Sequence, residues 1–362
     1  MRNRQERMDL LKSLCLAFGP TGCEEEVAEL ILKEIYPTAH RITKDRLGNL
    51  IAEMHFGDAT EGRTRMMISA HMDEVGMMVR SVRDDGTLLF GTVGGIDPSV
   101  LPGRFVTVKG KDGMHNAVIA SKAIHHKEKE EREKAVAIKK MCIDPGTGSK
   151  EASEELFAIG DFATFDSEFF FFGKDNSTMK GKALDDRCGC AIMIEVMEAL
   201  AENPPAEALD LYFCFTVREE IGLSGAVSVA ERIRPHVALV LESTAVGDVA
   251  DVEEAQRVAR LGKGGVISLM DRSTIYDRDL CRFALRVAEE NGVAAQIKKY
   301  VSGGNDAGHI HKSGVGVKTL ALSLPTRYLH SAACVASVAD YDAMRGHTEA
   351  LVRNINRFGG RS

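Results

Sequence analysis

Apolar residues recur at two different spacings along the chain, and each spacing predicts a different kind of element. Helical spacing predicts two helices within residues 8–36, broken at 19–22, and further helices over 188–200, 224–232, 274–290 and 340–358. Short continuous apolar runs predict strands at 66–70, 209–216, 237–241, 295–301 and 317–324. Strands and helices thus alternate in the first and last parts of the chain, which predicts an α/β fold, and we expect a three-layer domain with a mixed sheet.

The middle of the chain has a different pattern. From residue 75 to residue 172, strand-like runs are separated by turn glycines, as in an all-β domain. A run of mixed charges over 125–134 begins with His125 and His126, and it predicts a solvated loop or a short exposed helix rather than a binding tract. We therefore predict a discontinuous α/β domain, 1–74 and 173–362, and an inserted β domain, 75–172, with the form of a small β-barrel.

Local signals predict where some elements begin and end. Thr21 is followed three residues later by Glu24, which is the spacing of a capping box, so Thr21 is predicted to cap the second helix. Gly48 predicts a turn between two strands. Gly292 follows the helix predicted over 274–290 and marks its C-terminal end.

Composition and charge narrow the class of protein. The chain has 362 residues, 44% of them apolar and 27% charged, and no apolar run approaches the ~20 residues of a membrane span. Its net charge of -7 argues against a nucleic-acid surface, which needs a clustered positive field. The charged N-terminus leads into a helical pattern rather than a signal peptide, and the eight cysteines include no C-x-x-C pair. The expected location is the cytoplasm.

Polar residues that can bind metals lie directly after several predicted strands or before a helix. In open α/β sheets ligands bind beyond the carboxyl ends of the strands, so these residues are expected to converge on one edge of the sheet. Two histidines and several carboxylates match the needs of a dinuclear divalent site, which uses a bridging carboxylate and a neighbouring general base. The residues concerned are His71, Asp185, Glu219, Glu220, Glu242 and His330.

Two further groups near these residues need a separate interpretation. Asp73, two residues after His71, is predicted to accept the second imidazole N–H and so to fix the tautomer. Cys188 and Cys190 follow Asp185 closely, but the apolar helix that they open explains them as small buried hydrophobes.

Seven short motifs occur in the order that is typical of one family, at residues 70–76, 94–98, 143–146, 182–189, 219–222, 303–307 and 325–331. The most specific are Lys-Ala-Leu-Asp-Asp-Arg-Cys-Gly at 182–189 and Pro-Thr-Arg-Tyr-Leu-His-Ser at 325–331. The chain resembles the glutamyl-aminopeptidase and tetrahedral-aminopeptidase family of cytosolic metallopeptidases, family forty-two, whose members have also been labelled cellulase M. The resemblance runs from about Leu10 to Phe358.

The resemblance implies a metal-binding role for five positions. His71 and Glu242 would hold one divalent metal, and Glu220 and His330 would hold the other. Asp185 would bridge the two metals, with a cis peptide bond to the following aspartate. Zinc or cobalt is expected, and manganese also accepts this ligand set.

The resemblance also implies a mechanism and an assembly. Glu219 would be the general base that takes a proton from a metal-bridging water and returns it to the leaving amine, and Asp73 would support the site. The substrate would be a peptide with a free N-terminus, so that one residue is released at a time. The inserted domain would mediate dimerisation, and dimers would assemble into a dodecamer.

The sequence departs from the family pattern at two positions. Glu242 stands where many members have aspartate, and Asn305 stands where threonine is common, next to Asp306. The preferred N-terminal residue and the role of Asp306 therefore stay open.

Three alternatives remain at this point. A glycosidase would need two facing carboxylates and a stacking cleft, yet the chain has no tryptophan and only 6% aromatic residues. A catalytically inactive assembly protein would be expected to lack a ligand, and every ligand position here is chemically competent. A metal-dependent amidohydrolase of small acyl-amino compounds would use the same centre, and Glu242 keeps this alternative open.

Overall fold

The computed structural model describes residues 2–58, 62–126 and 128–359. Its α-helices are α1 (Arg4–Leu16), α2 (Glu25–Ile35), α3 (Lys129–Arg132), α4 (Lys150–Leu156), α5 (Leu184–Glu202), α6 (Ser224–Ile233), α7 (Arg278–Glu290), α8 (Ala307–Ile310), α9 (Val338–Asn354) and α10 (Asn356–Gly359). Its strands are β1 (Arg41–Lys44), β2 (Leu50–Phe56), β3 (Thr64–His71), β4 (Gly76–Val82), β5 (Leu88–Val93), β6 (Phe105–Lys109), β7 (Met114–Ser121), β8 (Met141–Asp144), β9 (Phe162–Phe165), β10 (Phe170–Phe172), β11 (Thr178–Gly181), β12 (Leu209–Thr216), β13 (Val237–Ala245), β14 (Gly265–Ile267), β15 (Ala295–Ile297), β16 (Lys318–Arg327) and β17 (Cys334–Ser337).

A large mixed sheet forms the centre of the molecule. Its strands follow the order β1-β2-β12-β3-β13-β16-β17-β11-β10, and β14 joins β16 to β15. The four central strands, β12, β3, β13 and β16, are parallel neighbours, so their carboxyl ends meet at one edge. Parallel strands with buried faces read as continuous apolar runs, which explains why these strands were the clearest in the sequence.

Helices cover the sheet. Helix α5 packs on β3 and β13 and also contacts α1, α2 and α9, while α6 contacts β12, β3 and α8. Nearly every residue of α5 is buried, from Leu184 at its start to Leu200 near its end. The predicted mixed-sheet α/β fold is confirmed.

The middle of the chain forms a closed antiparallel barrel in the order β4-β5-β8-β7-β6-β9. The barrel has a hydrophobic core of its own, with Met77, Leu88, Val106 and Ile143 fully buried. The predicted β-barrel is therefore present. Strand β10, which lies within the range predicted for the insert, pairs with β11 in the large sheet. The division into two domains stays a prediction.

Several predicted boundaries shift in the structure. Helix α7 begins at Arg278 rather than at residue 274, because the Asp277 side chain caps it by accepting from the Leu280 N–H. Strand β13 continues through Glu242 to Ala245, so Glu242 lies within a strand rather than after it. Gly292 has a φ of +64° at the end of α7, as predicted.

The predicted capping box at Thr21 is wrong. Helix α2 has no side-chain cap, and the Glu24 carboxylate instead accepts from the Gly22 N–H. The charge run over 125–134 includes Lys127, which lies outside the described residues; within it, His125 and His126 are exposed in a short 3₁₀ helix, Ile124–His126. None of the described helices is long and apolar enough to cross a membrane.

Candidate metal centre

The parallel centre of the sheet brings the predicted site residues together. His71 is the last residue of β3, and Glu242 lies near the end of the neighbouring strand β13. Glu220 follows β12, and His330 follows β16. Asp185 lies in the irregular first turn of α5, whose N-terminus meets the same edge. Because these strands are parallel, residues far apart in sequence share one edge of the sheet.

The Asp185 carboxylate lies between the two imidazoles. Its Oδ1 is 3.3 Å from His71 Nε2, and its Oδ2 is 3.4 Å from His330 Nε2. On one side, His71 Nε2 is also 3.4 Å from Glu242 Oε1; on the other, His330 Nε2 is 3.3 Å from Glu220 Oε1. Each imidazole therefore faces one glutamate and one oxygen of the shared aspartate.

Main-chain carbonyls orient both imidazoles. His71 Nδ1 donates to the carbonyl oxygen of Asp73 at 3.0 Å, and His330 Nδ1 donates to the carbonyl oxygen of Gly95 at 2.7 Å. Because Nδ1 carries the proton, Nε2 of each ring is the nitrogen available to a metal. Asp73 was predicted to accept this second imidazole N–H through its carboxylate; Asp73 Oδ1 does lie 3.5 Å from His71 Nδ1, but the main-chain carbonyl of the same residue is the nearer acceptor.

The Asp73 carboxylate instead holds the segment that carries the two glutamates. It accepts from the main-chain N–H groups of Glu219 at 3.1 Å and Glu220 at 3.2 Å. Its third donor is the Thr21 hydroxyl, at 2.7 Å. Thr21 therefore supports Asp73 rather than capping a helix, because the loop before α2 packs against the end of β3.

Three segments that deliver site residues contain a left-handed residue other than glycine. Ala183 has a φ of +52°, Arg218 has a φ of +59°, and His330 itself has a φ of +57°. Such conformations are costly for residues with a Cβ and concentrate at functional sites. The peptide bond between Asp185 and Asp186 is cis, as the family resemblance implied.

The electrostatics of the centre are those of a site that needs cations. Burial raises the pKa of Glu219 and of Glu242, and neighbouring carboxylates raise both further. Burial lowers the pKa of His330, but its hydrogen bonds with Asp185 and Glu220 raise it more, to about 11. Burial raises the pKa of Asp185, but hydrogen bonds with both histidines lower it overall. Protons thus compensate the gathered negative charge, which is the role that bound divalent ions take over.

Unpartnered buried oxygens also fit a metal site. Glu242 Oε2 is buried and has no hydrogen-bond partner among the described residues, which is costly for a carboxylate unless it pairs with a cation. His71, Asp185 and Glu220 offer ligand atoms within 4.8 Å of one another, as do His71, Asp186 and Glu242. Four residues of the predicted set, His71, Asp185, Glu220 and Glu242, thus occur in these groups; Asp186 was not in the predicted set, and His330 belongs to neither group of the described residues. The longer arm of Glu242 reaches His71.

Asp186 is a buried acid whose role the sequence did not indicate. Its Oδ1 accepts from the Gly189 N–H at 3.1 Å, while its Oδ2 has no partner in the described structure. Burial raises the pKa of Asp186 to about 8. A Cβ on Gly189 would lie 2.4 Å from the Asp186 carboxylate, so only glycine fits at the start of this helix.

A buried ion cluster behind the centre was also missed. Lys182 Nζ lies 2.5 Å from Glu74 Oε1, and Arg187 Nη2 lies 3.5 Å from the same oxygen. Arg187 is fully buried and donates to the carbonyl oxygens of Met72 and Gly19. The cluster joins the segment after β3 to the start of α5. The sequence feature that could have indicated this cluster is the pair of cationic residues, Lys182 and Arg187, on either side of Asp185 in an otherwise apolar stretch.

The remaining candidates have structural partners. Asp306 Oδ2 accepts from the Thr216 hydroxyl at 2.7 Å, and burial raises the pKa of Asp306 to about 7. Asn305 accepts from the Ala307 N–H at 2.9 Å. Cys188 and Cys190 are buried and belong to neither group of metal-competent residues in the described structure, in line with their interpretation as packing residues.

An open cavity of about 420 Å³ adjoins the centre. Asp185, Glu219, Glu220, Glu242 and His330 form its inner wall. The rest is formed by the end of β13, the segment 302–305 and three single residues, Lys298, Ser323 and Leu329. The candidate metal centre is thus accessible to a small substrate.

Comparisons with known proteins agree with this arrangement. The M42 glutamyl aminopeptidase family model matches residues 48–346. Among solved structures, the TET aminopeptidase of a marine sediment archaeon (Thaumarchaeota) is 32% identical, with a TM-score of 0.94 and full coverage of both chains. The TET1 peptidase of Pyrococcus horikoshii, which can assemble into a tetrahedron or a large octahedral shell, is 34% identical over 96% of this chain and 99% of its own, with a TM-score of 0.82.

A further relative is an aminopeptidase that is named for the residue it releases. The lysyl aminopeptidase of Pyrococcus furiosus is 29% identical over 96% of this chain and 97% of its own. The family model covers well over half of the chain, and its members are metal-dependent peptidases. The chain therefore belongs to the M42 glutamyl aminopeptidase family and is a peptidase hydrolase.

Proposed function

We propose that this protein is a dinuclear aminopeptidase that releases single residues from the N-terminus of peptides. The observation that carries the proposal is the position of the Asp185 carboxylate, with one oxygen facing each imidazole. His71 and Glu242 would hold one divalent ion, His330 and Glu220 the other, and Asp185 both. Zinc or cobalt fits this nitrogen and oxygen ligand set best, and manganese is also compatible with it.

Glu219 is proposed as the general base. Its carboxylate lines the cavity beside the centre, and Asp73 holds its main chain in place. The two metal ions, when bound, supply Lewis acidity that activates water and polarises the scissile carbonyl. Glu219 accepts a proton as the water oxygen bonds to the carbonyl carbon. It then donates that proton to the leaving nitrogen as the C–N bond breaks.

Self-association is part of the proposal. A tetrahedral point group has twelve equivalent positions, so an assembly like that of the Pyrococcus horikoshii relative would be a dodecamer. The barrel, within the insert predicted over 75–172, is proposed to mediate the dimer contacts. The catalytic domain would then comprise 1–74 and 173–362.

The main alternative is hydrolysis of small acyl-amino compounds at the same centre. Family membership and the open cavity favour peptides with a free N-terminus, and a peptidase family offers no support for the glycosidase alternative. The family is named for glutamyl substrates and the Pyrococcus furiosus relative for lysyl substrates. The substrate panel below therefore includes both acidic and basic N-terminal residues.

The test is hydrolysis of aminoacyl-anilides and short peptides by metal-loaded protein, with Glu219→Gln and Glu207→Gln side by side. Glu207 is an exposed residue in the loop before β12 and serves as the control. We expect single N-terminal residues to be released, Glu219→Gln to lower kcat by about 10²- to 10⁴-fold, and the control to match the wild type. No turnover of any unblocked peptide with two ions bound would favour the small-amide hydrolase.

A further inference from the structure

A second cavity opens at the edge of the large sheet opposite the candidate metal centre. It has a volume of about 770 Å³ and shares no lining residue with the cavity at the candidate metal centre, among the residues that the structure describes. Thr64 begins β3 and lines the second cavity, whereas His71 ends the same strand at the candidate metal centre. This length of extended strand separates the two sites by roughly 23 Å. The second cavity is therefore not part of the candidate active site.

The amino ends of three neighbouring parallel strands, β3, β13 and β16, form most of the second cavity. The lining consists of residues 64–65, 234–237, 313–318, Ile355 and Phe358. Gly314 and Gly316 have φ values of +56° and +96°, which glycine adopts without strain, and they form a turn before β16. The Val315 side chain between them is fully exposed. The turn thus carries the apolar lining of the cavity out to the surface.

The interior of the second cavity is apolar. The buried residues of its lining are Pro235, Val237, Ser313, Val317 and Ile355. The Ser313 hydroxyl already donates to the carbonyl oxygen of Ile310 at 2.9 Å, so it offers little to a ligand. A ligand that enters this interior gains free energy by removing hydrocarbon from water.

The mouth of the second cavity is cationic. Arg234, His236 and Lys318 are exposed residues of the lining, and Arg65 is half-buried beside them. No aspartate or glutamate belongs to the described lining. Glu231 is the acid next to it, and its carboxylate accepts from the Gly314 N–H at 3.0 Å. The charges at the mouth are therefore of one sign.

The cations at the mouth keep unused donors. Arg65 donates through Nε and Nη2 to the carbonyl oxygen of Arg234, at 3.1 and 3.0 Å, which leaves its Nη1 without a partner in the described structure. The Lys318 ammonium lies 4.9 Å from the centre of the Phe358 ring. Within the described part of the chain, neither Arg65, Arg234 nor Lys318 forms an ion pair. These groups are available to an anion.

The main chain fixes which nitrogen of His236 can donate. The Arg65 N–H donates to His236 Nδ1 at 3.1 Å, and the His236 N–H donates to the Arg65 carbonyl oxygen at 2.9 Å. A neutral imidazole that accepts at Nδ1 carries its proton at Nε2. Burial lowers the pKa of His236, and the Arg65 charge lowers it further, which favours this neutral form. His236 therefore adds an N–H donor beside the cations.

A cationic mouth over an apolar interior fits one class of ligand. Guanidinium and ammonium groups bind carboxylates through charge-assisted hydrogen bonds, and a hydrocarbon chain fills the interior. The volume is within the range of small-molecule sites. A cationic ligand would meet like charges, and a small inorganic anion would leave the apolar interior in contact with water.

We propose that the second cavity binds a carboxylate carried on an apolar chain, with the carboxylate at the cations of the mouth and the chain in the interior. Such a chain can belong to a free acid or to the C-terminal residue of a peptide, and the chemistry of recognition is the same for both. The inference does not rest on the proposed aminopeptidase function, because this site uses none of the predicted metal ligands.

The experiment is calorimetric titration of metal-loaded and of chelated protein with octanoate, octylamine, acetate and N-acetyl-leucyl-leucine. Octanoate and octylamine share a chain and differ in charge, whereas acetate carries the charge without the chain. The variants are Arg234→Gln, Lys318→Gln and Val315→Asp, all at exposed positions. The control is Arg232→Gln, at an exposed arginine of α6 that does not line the cavity.

We expect octanoate to bind about tenfold or more tightly than octylamine or acetate, with the same Kd in loaded and chelated protein. Arg234→Gln and Lys318→Gln should each raise this Kd about tenfold, because each removes one charged donor. Val315→Asp should also raise it, because it places a negative charge at the mouth. Arg232→Gln should keep the wild-type Kd. Tighter binding of octanoate than of N-acetyl-leucyl-leucine indicates a free acid, and the reverse order indicates a peptide C-terminus.

Three results would overturn the inference. The first is equal binding of octanoate and octylamine, or a Kd that Arg234→Gln and Lys318→Gln leave unchanged. The second is loss of octanoate binding on chelation, since octanoate would then be bound at the candidate metal centre. The third is absence of octanoate and peptide binding together with a changed sedimentation coefficient in Val315→Asp, which would make this face a contact between copies of the chain.

Discussion

The two halves of the candidate metal centre are built in different ways. His71 is the last residue of a central strand, and its side chain is 2% exposed; His330 lies in a loop, and its side chain is 32% exposed. Glu242 likewise belongs to a strand, whereas Glu220 lies in the loop after β12. The first half is therefore part of the core of the sheet, and the second half is assembled from loops.

The supports of the two imidazoles differ in the same way. The carbonyl that orients His71 belongs to Asp73, two residues away on the same chain segment. The carbonyl that orients His330 belongs to Gly95, which follows β5 of the barrel and lies 235 residues away in sequence. The His330 half therefore depends on how the barrel sits against the sheet. We expect the His71 half to bind its ion more tightly, because its ligands are held by more buried structure.

The largest effect is expected at the residue that the two halves share. Asp185→Asn should lower kcat/KM by about 10³-fold or more and reduce the bound metal, because it removes the charge that faces both imidazoles. The matched variant is Asp186→Asn, which changes a neighbouring buried acid of the same size. Kinetics together with metal analysis would test the assignment. Metal loss in Asp186→Asn with full metal content in Asp185→Asn would transfer the ligand role to Asp186.

The second-largest effect is expected to distinguish the His71 half of the site from the His330 half. His330→Ala should leave one tightly bound ion per chain and a thermal unfolding midpoint close to the wild-type value. His71→Ala should weaken binding of both ions, because His71 is buried against both Asp185 and Glu242, and should lower the Tm by several degrees. Chelator titration and calorimetry provide the two measurements. Equal losses of metal and of Tm in both variants would contradict the difference between the halves.

A third prediction concerns the metal-free protein and pH. The pKa values of His330, Asp186 and Asp306 are raised in the folded state to about 11, 8 and 7. At pH values above the ordinary carboxyl pKa of about 4, the folded chain therefore binds more protons than the unfolded chain. The free energy of unfolding should consequently fall as pH rises from 5.5 to 9. Asp73, whose pKa is lowered overall, contributes stability that is lost only below this window.

Thermal unfolding of chelated and metal-loaded protein across this pH range tests the prediction. The Tm of the chelated protein should fall by about 5 °C or more between pH 5.5 and pH 9. The loaded protein should change less, because bound ions replace the protons and keep the carboxylates ionised. A Tm of the chelated protein that rises with pH would show that the carboxylates are not held protonated.

The smallest effect is expected at the support of Asp73. Thr21→Val removes the hydroxyl that donates to the Asp73 carboxylate but keeps its shape. Asp73 retains its two main-chain donors, so we expect a loss of about 1 kcal/mol, or roughly fivefold in kcat/KM. Thr38→Val, whose hydroxyl donates only to the carbonyl oxygen of Ile35, is the control. If the two variants had equal kcat/KM values, the Thr21 hydroxyl would not be needed for the function of Asp73.

Much of the site could be predicted because its residues carry local signals. His71 and Glu242 lie at or near the ends of strands with continuous apolar runs, and such runs are recognisable without knowledge of their neighbours. Asp73 shows the limit of this reasoning. Its spacing from His71 predicted a carboxylate contact, but β3 ends at His71, and the turn that follows presents the carbonyl to the imidazole.

Residues whose roles depend on distant partners were missed. Lys298 directly follows the edge strand β15 in a segment with no motif, and only the pairing of β15 through β14 to β16 brings it to the cavity beside the candidate metal centre. Arg187 stands in a recognisable motif, yet its carbonyl partners lie up to 173 residues away. Asp186 resembles any charged residue at a helix start until its burial is known.

The sequence by itself determined the α/β class, the presence of a β-barrel and the residue types of the candidate metal centre, because apolar periodicity and short motifs are local properties. The tertiary structure decided which glutamate and which aspartate oxygen face each imidazole. Strand order places β3 between β12 and β13, and this order sets Asp185 between two imidazoles, each with its own glutamate. Register and pairing are long-range properties of the folded chain, so no local pattern specifies them.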